Sequence, residues 1–221
     1  MMLRNTIVFD FDDVLVKSWE INRHVAEELS VQAGLKPLPP GTYRKEYGAP
    51  FEYLTKKYWE ITVGEFIALL KKHALSIPPY SPVEGTIETL KKLEKNHALG
   101  ILTSRDCHSM PHMFETSGIP EKLFSFVITE DDCHVHKPDP LVFKHVRDVV
   151  KGDFCYVGDN HEKDWPAARD AGVPFIAVTS GLSNREDFIK AGVRPERVLQ
   201  SISMLPDFMS SNNVFSASPQ A

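Results

Sequence analysis

"IVFDFDDVLV" (residues 7–16) is the stretch whose reading decides the fold. Ile7, Val8 and Phe9 form an apolar approach that ends in Asp10, Asp12 and Asp13. Consecutive apolar residues in a strand mean that both of its faces are covered, as in a parallel sheet packed between helices. Carboxylates at the end of such a strand are costly unless a cation neutralises them or a reaction uses them.

Working outward, similar short apolar runs recur at 98–102, 126–129, 154–157 and 175–178, and helical patterns follow at 139–150 and 162–171. Buried strands alternating with helices predict an α/β fold, a doubly wound parallel sheet. One connection is too long. Eighty-four positions separate Asp13 from His97, whereas a crossover needs only about a dozen residues. The surplus has helical patterns of its own at 19–33, 51–59 and 63–75, and "SIPPYSPVEG" (76–85) marks the return. Residues 18–80 are therefore read as an α-helical cap inserted into a core formed by 1–17 and 81–209. The aromatic residues Phe51, Tyr53, Tyr58 and Trp59 are read as cap core. "SSNNVFSASPQA" (210–221) has no periodicity and reads as a frayed tail.

Composition narrows the class. With 42% hydrophobic and 25% charged residues, the 221-residue chain has the make-up of a globular protein. A net charge of −5 without a basic cluster argues against nucleic acid as a partner. The early Arg4 and Asp10 break any secretory-signal pattern, and no apolar run reaches membrane-spanning length. Cys107, Cys133 and Cys155 are scattered and form no CxxC, which reads as free thiols in a reducing compartment, most simply the cytoplasm.

Ligands of open parallel sheets bind beyond the C-terminal strand ends. That rim would carry Asp10 and Asp12, then Thr103, Ser104 and Arg105, then Lys137, then Asp159 and Asp164. Asp10 and Asp12, two apart on a strand, can face one side. One carboxylate can attack phosphorus while the other donates a proton to the leaving oxygen and later takes one from water. Repulsion between carboxylate and phosphate calls for a bridging cation, and an oxygen-rich set suits Mg²⁺. Asp10, Asp159 and the Asp12 carbonyl are the expected ligands, with Asp164 orienting the ion's water shell and capping the helix that it opens. Thr103, with the neighbouring Ser104 and Arg105, would hold phosphoryl oxygens, and Lys137 would offset charge.

In order, "DFDDVL" (10–15), "LTS" (102–104), "HKPDP" (136–140) and "GDNHEKD" (158–164) resemble the four motifs of the haloacid dehalogenase superfamily of phosphohydrolases. The likeness spans residues 5–182, and the insert sits where that family's helical cap would. A second carboxylate at Asp12 implies, by this resemblance, phosphate ester hydrolysis through a phosphoaspartate on Asp10, or the chemistry of a phosphomutase, rather than carbon–halogen cleavage. The implied substrate is a small phosphorylated metabolite. The family usually has Gly where this chain has Asp13. Its side chain is expected to turn away from the phosphate while its N–H keeps the glycine's task. "YRKEYGAP" (43–50) resembles the substrate loop of the phosphoglycolate-phosphatase-like branch. Arg44 would there pair with a substrate carboxylate or second phosphate; a solvated helix face explains it equally well. The insert would close as a lid hinged at 16–18 and 80–82.

Two other classes compete. A receiver module also uses Asp, Thr and Lys on a parallel sheet, but accepts phosphate on the third strand and has no cap. A non-catalytic phosphate binder would need a damaged nucleophile, and Asp10 is intact. Cys133, His134 and His136 match no common zinc spacing. His108 and His112 read as surface residues. The oligomeric state is left open.

Overall fold

The computed structural model describes residues 4–215. Its strands are β1 (Thr6–Phe9), β2 (Val16–Lys17), β3 (Ser81–Pro82), β4 (Ala98–Leu102), β5 (Phe126–Ile128), β6 (Phe154–Gly158), β7 (Phe175–Val178) and β8 (Val198–Leu199). Six of them make a parallel sheet in the order β5-β4-β1-β6-β7-β8. The first strand is central, and the chain leaves it to build β4 on one side and β6 on the other. Its C-terminal end is therefore the switch point where a ligand crevice opens. The register brings Phe9 level with both Ile101 and Val157, so the three loops that follow start at one height. The two-residue β8 at the sheet edge has too few residues to show a period, and the sequence reading did not include it.

Alternation along β1 divides the core. Ile7 and Phe9 pack with Leu99, Ile101, Val157 and Ile176 on one face. Val8 packs with Tyr156, Phe175, Phe143 and Trp165 on the other. This is the two-sided burial that a parallel sheet requires.

The insert holds α1 (Trp19–His24), α2 (Ser30–Gln32), α3 (Thr42–Glu46), α4 (Phe51–Trp59) and α5 (Val63–Lys72). A π-helical turn at Val25–Leu29 joins α1 to α2, so the helix expected over 19–33 is continuous but widened by a turn in its middle. α5 begins at a capping box between Thr62 and Glu65. Phe66 stacks on Trp59 and meets Phe51 edge-on in the cap core. The two connections into and out of the insert pair with each other: Val16 lies against Pro82 and Lys17 against Ser81, antiparallel.

The main body is completed by α6 (Thr86–Leu93), α7 (Met110–Ser117), α8 (Phe143–Val149), α9 (Asp164–Asp170), α10 (Arg185–Ala191) and α11 (Leu205–Ser211). Here the expected frayed tail is corrected. Helix α11 runs through Ser211, Val214 is 1% exposed within the core, and the Phe215 ring lies 5.5 Å from His97. Two apolar side chains anchor a segment whose polar neighbours hid them; 216–221 lie outside the described residues. Among the described residues no helix is long and apolar enough to cross a membrane.

Candidate active site

Asp10, Asp159 and Asp164 each present an oxygen to one point, and these atoms lie within 4.8 Å of one another. Lys137 stands beside them. Its Nζ is 3.0 Å from Asp10 Oδ2, 2.7 Å from Asp164 Oδ1 and 2.8 Å from the Tyr156 hydroxyl. Asp10 is set by the register, because its N–H donates to the Val157 carbonyl at 2.8 Å. Asp159 directly follows β6, and Asp164 opens α9 and folds back over the loop between them. Asp164 Oδ2 accepts the N–H groups of Asp159 (3.1 Å) and Asn160 (3.0 Å), and its Oδ1 accepts the Tyr156 hydroxyl at 3.0 Å.

Asp164 does not cap α9. Asn160 Oδ1 takes the free N–H groups of Glu162 (2.9 Å) and Lys163 (3.0 Å) instead. A residue in the first helical turn points its side chain back past the N-terminus, and there Asp164 ties the loop. Two glycines make the room. A Cβ on Gly158 would sit 2.6 Å from Asp164 Oδ2, and one on Gly181 would overlap Asp159 Oδ2.

These charges are poorly balanced. Burial pushes the Asp10 carboxyl up to about 7, with repulsion from Asp164 and Asp12 adding and Lys137 opposing. Asp159 is raised well above the carboxylate range by burial and by Asp164 and Asp10. Burial alone would lower Lys137, but Asp10 and Asp164 outweigh it and keep the ammonium charged. Three buried carboxylates around one ammonium form an oxygen-only pocket with negative charge in excess.

Asp12 is held differently. Arg105 grips it, with Nη2 2.6 Å from Oδ1 and Nε 3.0 Å from Oδ2. Burial would raise the Asp12 carboxyl, and Arg105 overrides it to hold the group below its ordinary value. The guanidinium lies over the Tyr80 ring at 5.5 Å, and the Tyr80 hydroxyl donates to Asn22 Oδ1 at 2.8 Å. Arg105, expected to face phosphoryl oxygens, thus faces Asp12. Thr103 is buried at the end of β4 and its Oγ1 accepts the Arg105 N–H at 3.2 Å. Ser104 is half-buried.

Asp13 occupies left-handed backbone, φ 55°, where glycine is favoured and Asp is tolerated because its side chain can bond locally. Its carboxylate turns to the insert. Oδ1 accepts the N–H groups of Ser18 (2.9 Å) and Trp19 (3.2 Å), and Oδ2 accepts the Tyr47 hydroxyl. The Asp13 N–H is engaged by the Val16 carbonyl at 2.7 Å. It closes the turn here rather than facing a phosphate.

Between rim and insert lies a cavity of about 480 Å³. Asp10, Asp12, Lys137, Asp159 and Asp164 line one end, and Ser104 and Arg105 line it as well. Arg44 does not line it. Tyr43 and Tyr47, four apart, face the cavity, while Arg44 one position on from Tyr43 is exposed; a step of one along a helix turns the side chain about 100° away. Arg44 therefore lies outside the space where a substrate would be enclosed. His108 and His112, expected on the surface, are exposed but border the cavity. Sequence reasoning missed Tyr156, Tyr47 and Tyr80. A tyrosine in a buried strand is a usable signal, since its hydroxyl must find a partner.

The haloacid dehalogenase-like hydrolase family model matches residues 7–178. The chain belongs to this family. The hydrolase is 27% identical to pyrophosphatase PpaX of Bacillus thuringiensis (strain Al Hakam) over 225 residues, which spans 95% of this chain and 98% of PpaX. It is 30% identical to (S)-2-haloacid dehalogenase 2 of Pseudomonas sp. (strain CBS-3) over 146 residues, 65% of this chain and 60% of that protein. A haloacid dehalogenase-like hydrolase domain-containing protein 3 of Danio rerio is 35% identical over 88 residues, 38% of this chain and 34% of its own length. Among solved structures, a predicted phosphoglycolate phosphatase from Haemophilus somnus 129PT superposes with TM-score 0.74 at 18% identity, covering 95% of this chain and 99% of that one. CbbY from Rhodobacter sphaeroides in complex with phosphate gives 0.74 at 16% identity, covering 92% and 96%. At such identities the hydrolase shares their fold.

Proposed function

We propose that this hydrolase is a Mg²⁺-dependent phosphatase that cleaves a small phosphate monoester through a phosphoaspartate on Asp10. The observation that carries the reading is the convergence of Asp10, Asp159 and Asp164 within 4.8 Å beside Lys137. The names of the relatives, pyrophosphatase and phosphoglycolate phosphatase, support phosphoryl chemistry.

The donor set fits a hard divalent cation, because it is buried, all oxygen and short of positive charge. Asp10, Asp159 and the Asp12 carbonyl would hold Mg²⁺, with Asp164 ordering the surrounding loop. The ion's contribution when bound is to relieve the repulsion between an anionic nucleophile and an anionic ester.

The side chains account for the rest. An Asp10 oxygen attacks phosphorus as the ester P–O bond breaks. Asp12 gives its proton to the departing alkoxide. Water then attacks the aspartyl phosphate, Asp12 takes the water's proton, and phosphate leaves with Asp10 restored. Lys137 steadies Asp10 and the phosphoryl oxygens, and Thr103 supplies a hydroxyl to the same group. Asp12 can carry a proton only when Arg105 lets go. A phosphoryl dianion gives the guanidinium a competing partner, so substrate entry can free Asp12.

Phosphate release from simple monoesters, measured with Mg²⁺ and with a chelator, tests this. The expected result is Mg²⁺-dependent turnover that falls by about two to four orders of magnitude in Asp12→Asn. Turnover at the wild-type rate in chelator would overturn the metal assignment, and a fall of only a few-fold in Asp12→Asn would remove it as the proton carrier.

A further inference from the structure

The cavity's two ends differ in chemistry. The rim end is ionic, as described above. The insert's side is walled by α5, where Val63, Ile67 and Lys71 recur at intervals of four and all line the cavity, so that they form one stripe along the helix. Val63 and Ile67 are only half-buried, and neither belongs to the cap's packed clusters around Val25 and Phe66 or around Tyr43 and Leu54. Ile77, Tyr80 and Met113 continue this apolar surface from other elements.

Apolar side chains that face a cavity instead of a core gain nothing from water and gain much when a ligand covers them. Arg44, which could have drawn a second anionic group, faces solvent, and Arg105, held by Asp12, would on release serve the reacting phosphoryl group itself. Apart from Lys137, the other lining cations are Lys163 and Lys71, the latter at the C-terminal end of the stripe. A pyrophosphate or a bisphosphate would leave the Val63–Ile67 wall wet. A cavity of about 480 Å³ is also within the range that accommodates a whole organic ligand.

We propose that the substrate's alcohol half carries an aromatic or branched apolar body, seated against Val63 and Ile67 while the phosphate lies at Asp10. The inference rests on the phosphatase reading and adds the substrate class to it. Ile67 is the specificity-determining residue it names.

Two matched pairs of probes test it. The first compares kcat/KM for 2-phenylethyl phosphate and ethyl phosphate with Mg²⁺ present. Both release a primary alkoxide, so intrinsic reactivity is similar and the ratio reports the phenyl group. The expected preference is about tenfold or more for the phenyl ester. Ile67→Ser should reduce that ratio several-fold, and Ile67→Leu should keep it. Each ratio is taken within one protein preparation, so loss of folded protein cancels. The second pair, 2-phenylethylphosphonate and ethylphosphonate, is compared by calorimetric binding, which needs no turnover. Preference for the phenyl member in binding, lost in Ile67→Ser, supports the inference even if no ester is hydrolysed; that combination would overturn the phosphatase reading alone. Hydrolysis of both esters with a ratio near unity, or phosphoglycolate preferred over the phenyl ester, would overturn the apolar substrate class and leave the phosphatase reading standing.

Discussion

Arg105 lies across Asp12 as a two-point fork, its Nη2 2.6 Å from one carboxylate oxygen and its Nε 3.0 Å from the other. The pair joins the loop after β4 to the loop after β1, and both side chains are largely shielded, at 13% and 22% exposed. A fork of this kind is stronger than a single-point contact and fixes the direction of both groups. Singly, Arg105→Gln and Asp12→Asn should each lower stability to denaturant. In the double variant the losses should not add, leaving a coupling energy of about 1–2 kcal/mol. Full additivity would mean that the pair contributes no mutual stabilisation.

Gly181 predicts a steric route to weakening the proposed Mg²⁺ site. A Cβ there would overlap Asp159 Oδ2, so Gly181→Ala should push that carboxylate off the convergence point without changing any charge. Mg²⁺ affinity, measured by titration calorimetry, should fall by about 10–100-fold, the usual scale for displacing a group that orients a ligand. Asp159→Asn should weaken binding at least as much. Unchanged affinity in Asp159→Asn would exclude Asp159 as a ligand.

Asp13 fastens the insert to the core by accepting from Ser18, Trp19 and Tyr47. Asp13→Gly keeps the left-handed backbone easily but removes the acceptor, which should destabilise by about 1–2 kcal/mol. Asp13→Ala should cost about 1 kcal/mol more, because alanine is strained at positive φ. Thermal unfolding of the two variants separates the contributions. Equal melting temperatures for Gly and Ala would show that the turn relaxes.

Glu130 supplies a pH prediction that does not involve the Asp10–Asp159–Asp164 cluster. Its Oε2 is buried without a hydrogen-bond partner among the described residues, and burial, with Asp106 and Asp131, raises the carboxyl from 4.5 to about 8. Between those values the folded state holds a proton that the unfolded state has released. Stability contributed by the neutral form is therefore present at low pH and is lost as pH rises through that window. Glu130→Gln should abolish this slope, so its melting temperature should gain on the wild type between about pH 5 and pH 9. Parallel curves would place Glu130 in ordinary solvent.

The parallel sheet, the inserted helices and the rim positions of Asp10, Thr103, Lys137, Asp159 and Asp164 were legible in the chain itself. Burial on both faces writes a strand as an unbroken apolar run. Asp10, Thr103 and Asp159, each one step past a parallel strand, must reach the same rim, and Lys137 and Asp164 lie in the loop and helix start that follow strands ending there. Those are consequences of local pattern and of sheet topology. What the side chains at the rim hold was decided only by tertiary structure. Arg105 turns to Asp12, Asp164 to the loop instead of its helix, and Asp13 to the insert, because each finds its best partner on an element distant in the chain. Arg44 and Tyr43 are adjacent in sequence yet face opposite environments, since the docking of α3 selects which side of a short helix meets the cavity. Val214 looked like part of a polar tail until the core offered its methyl groups a place. In each case the sequence carried the chemical group, and the packing of remote elements decided what that group would touch.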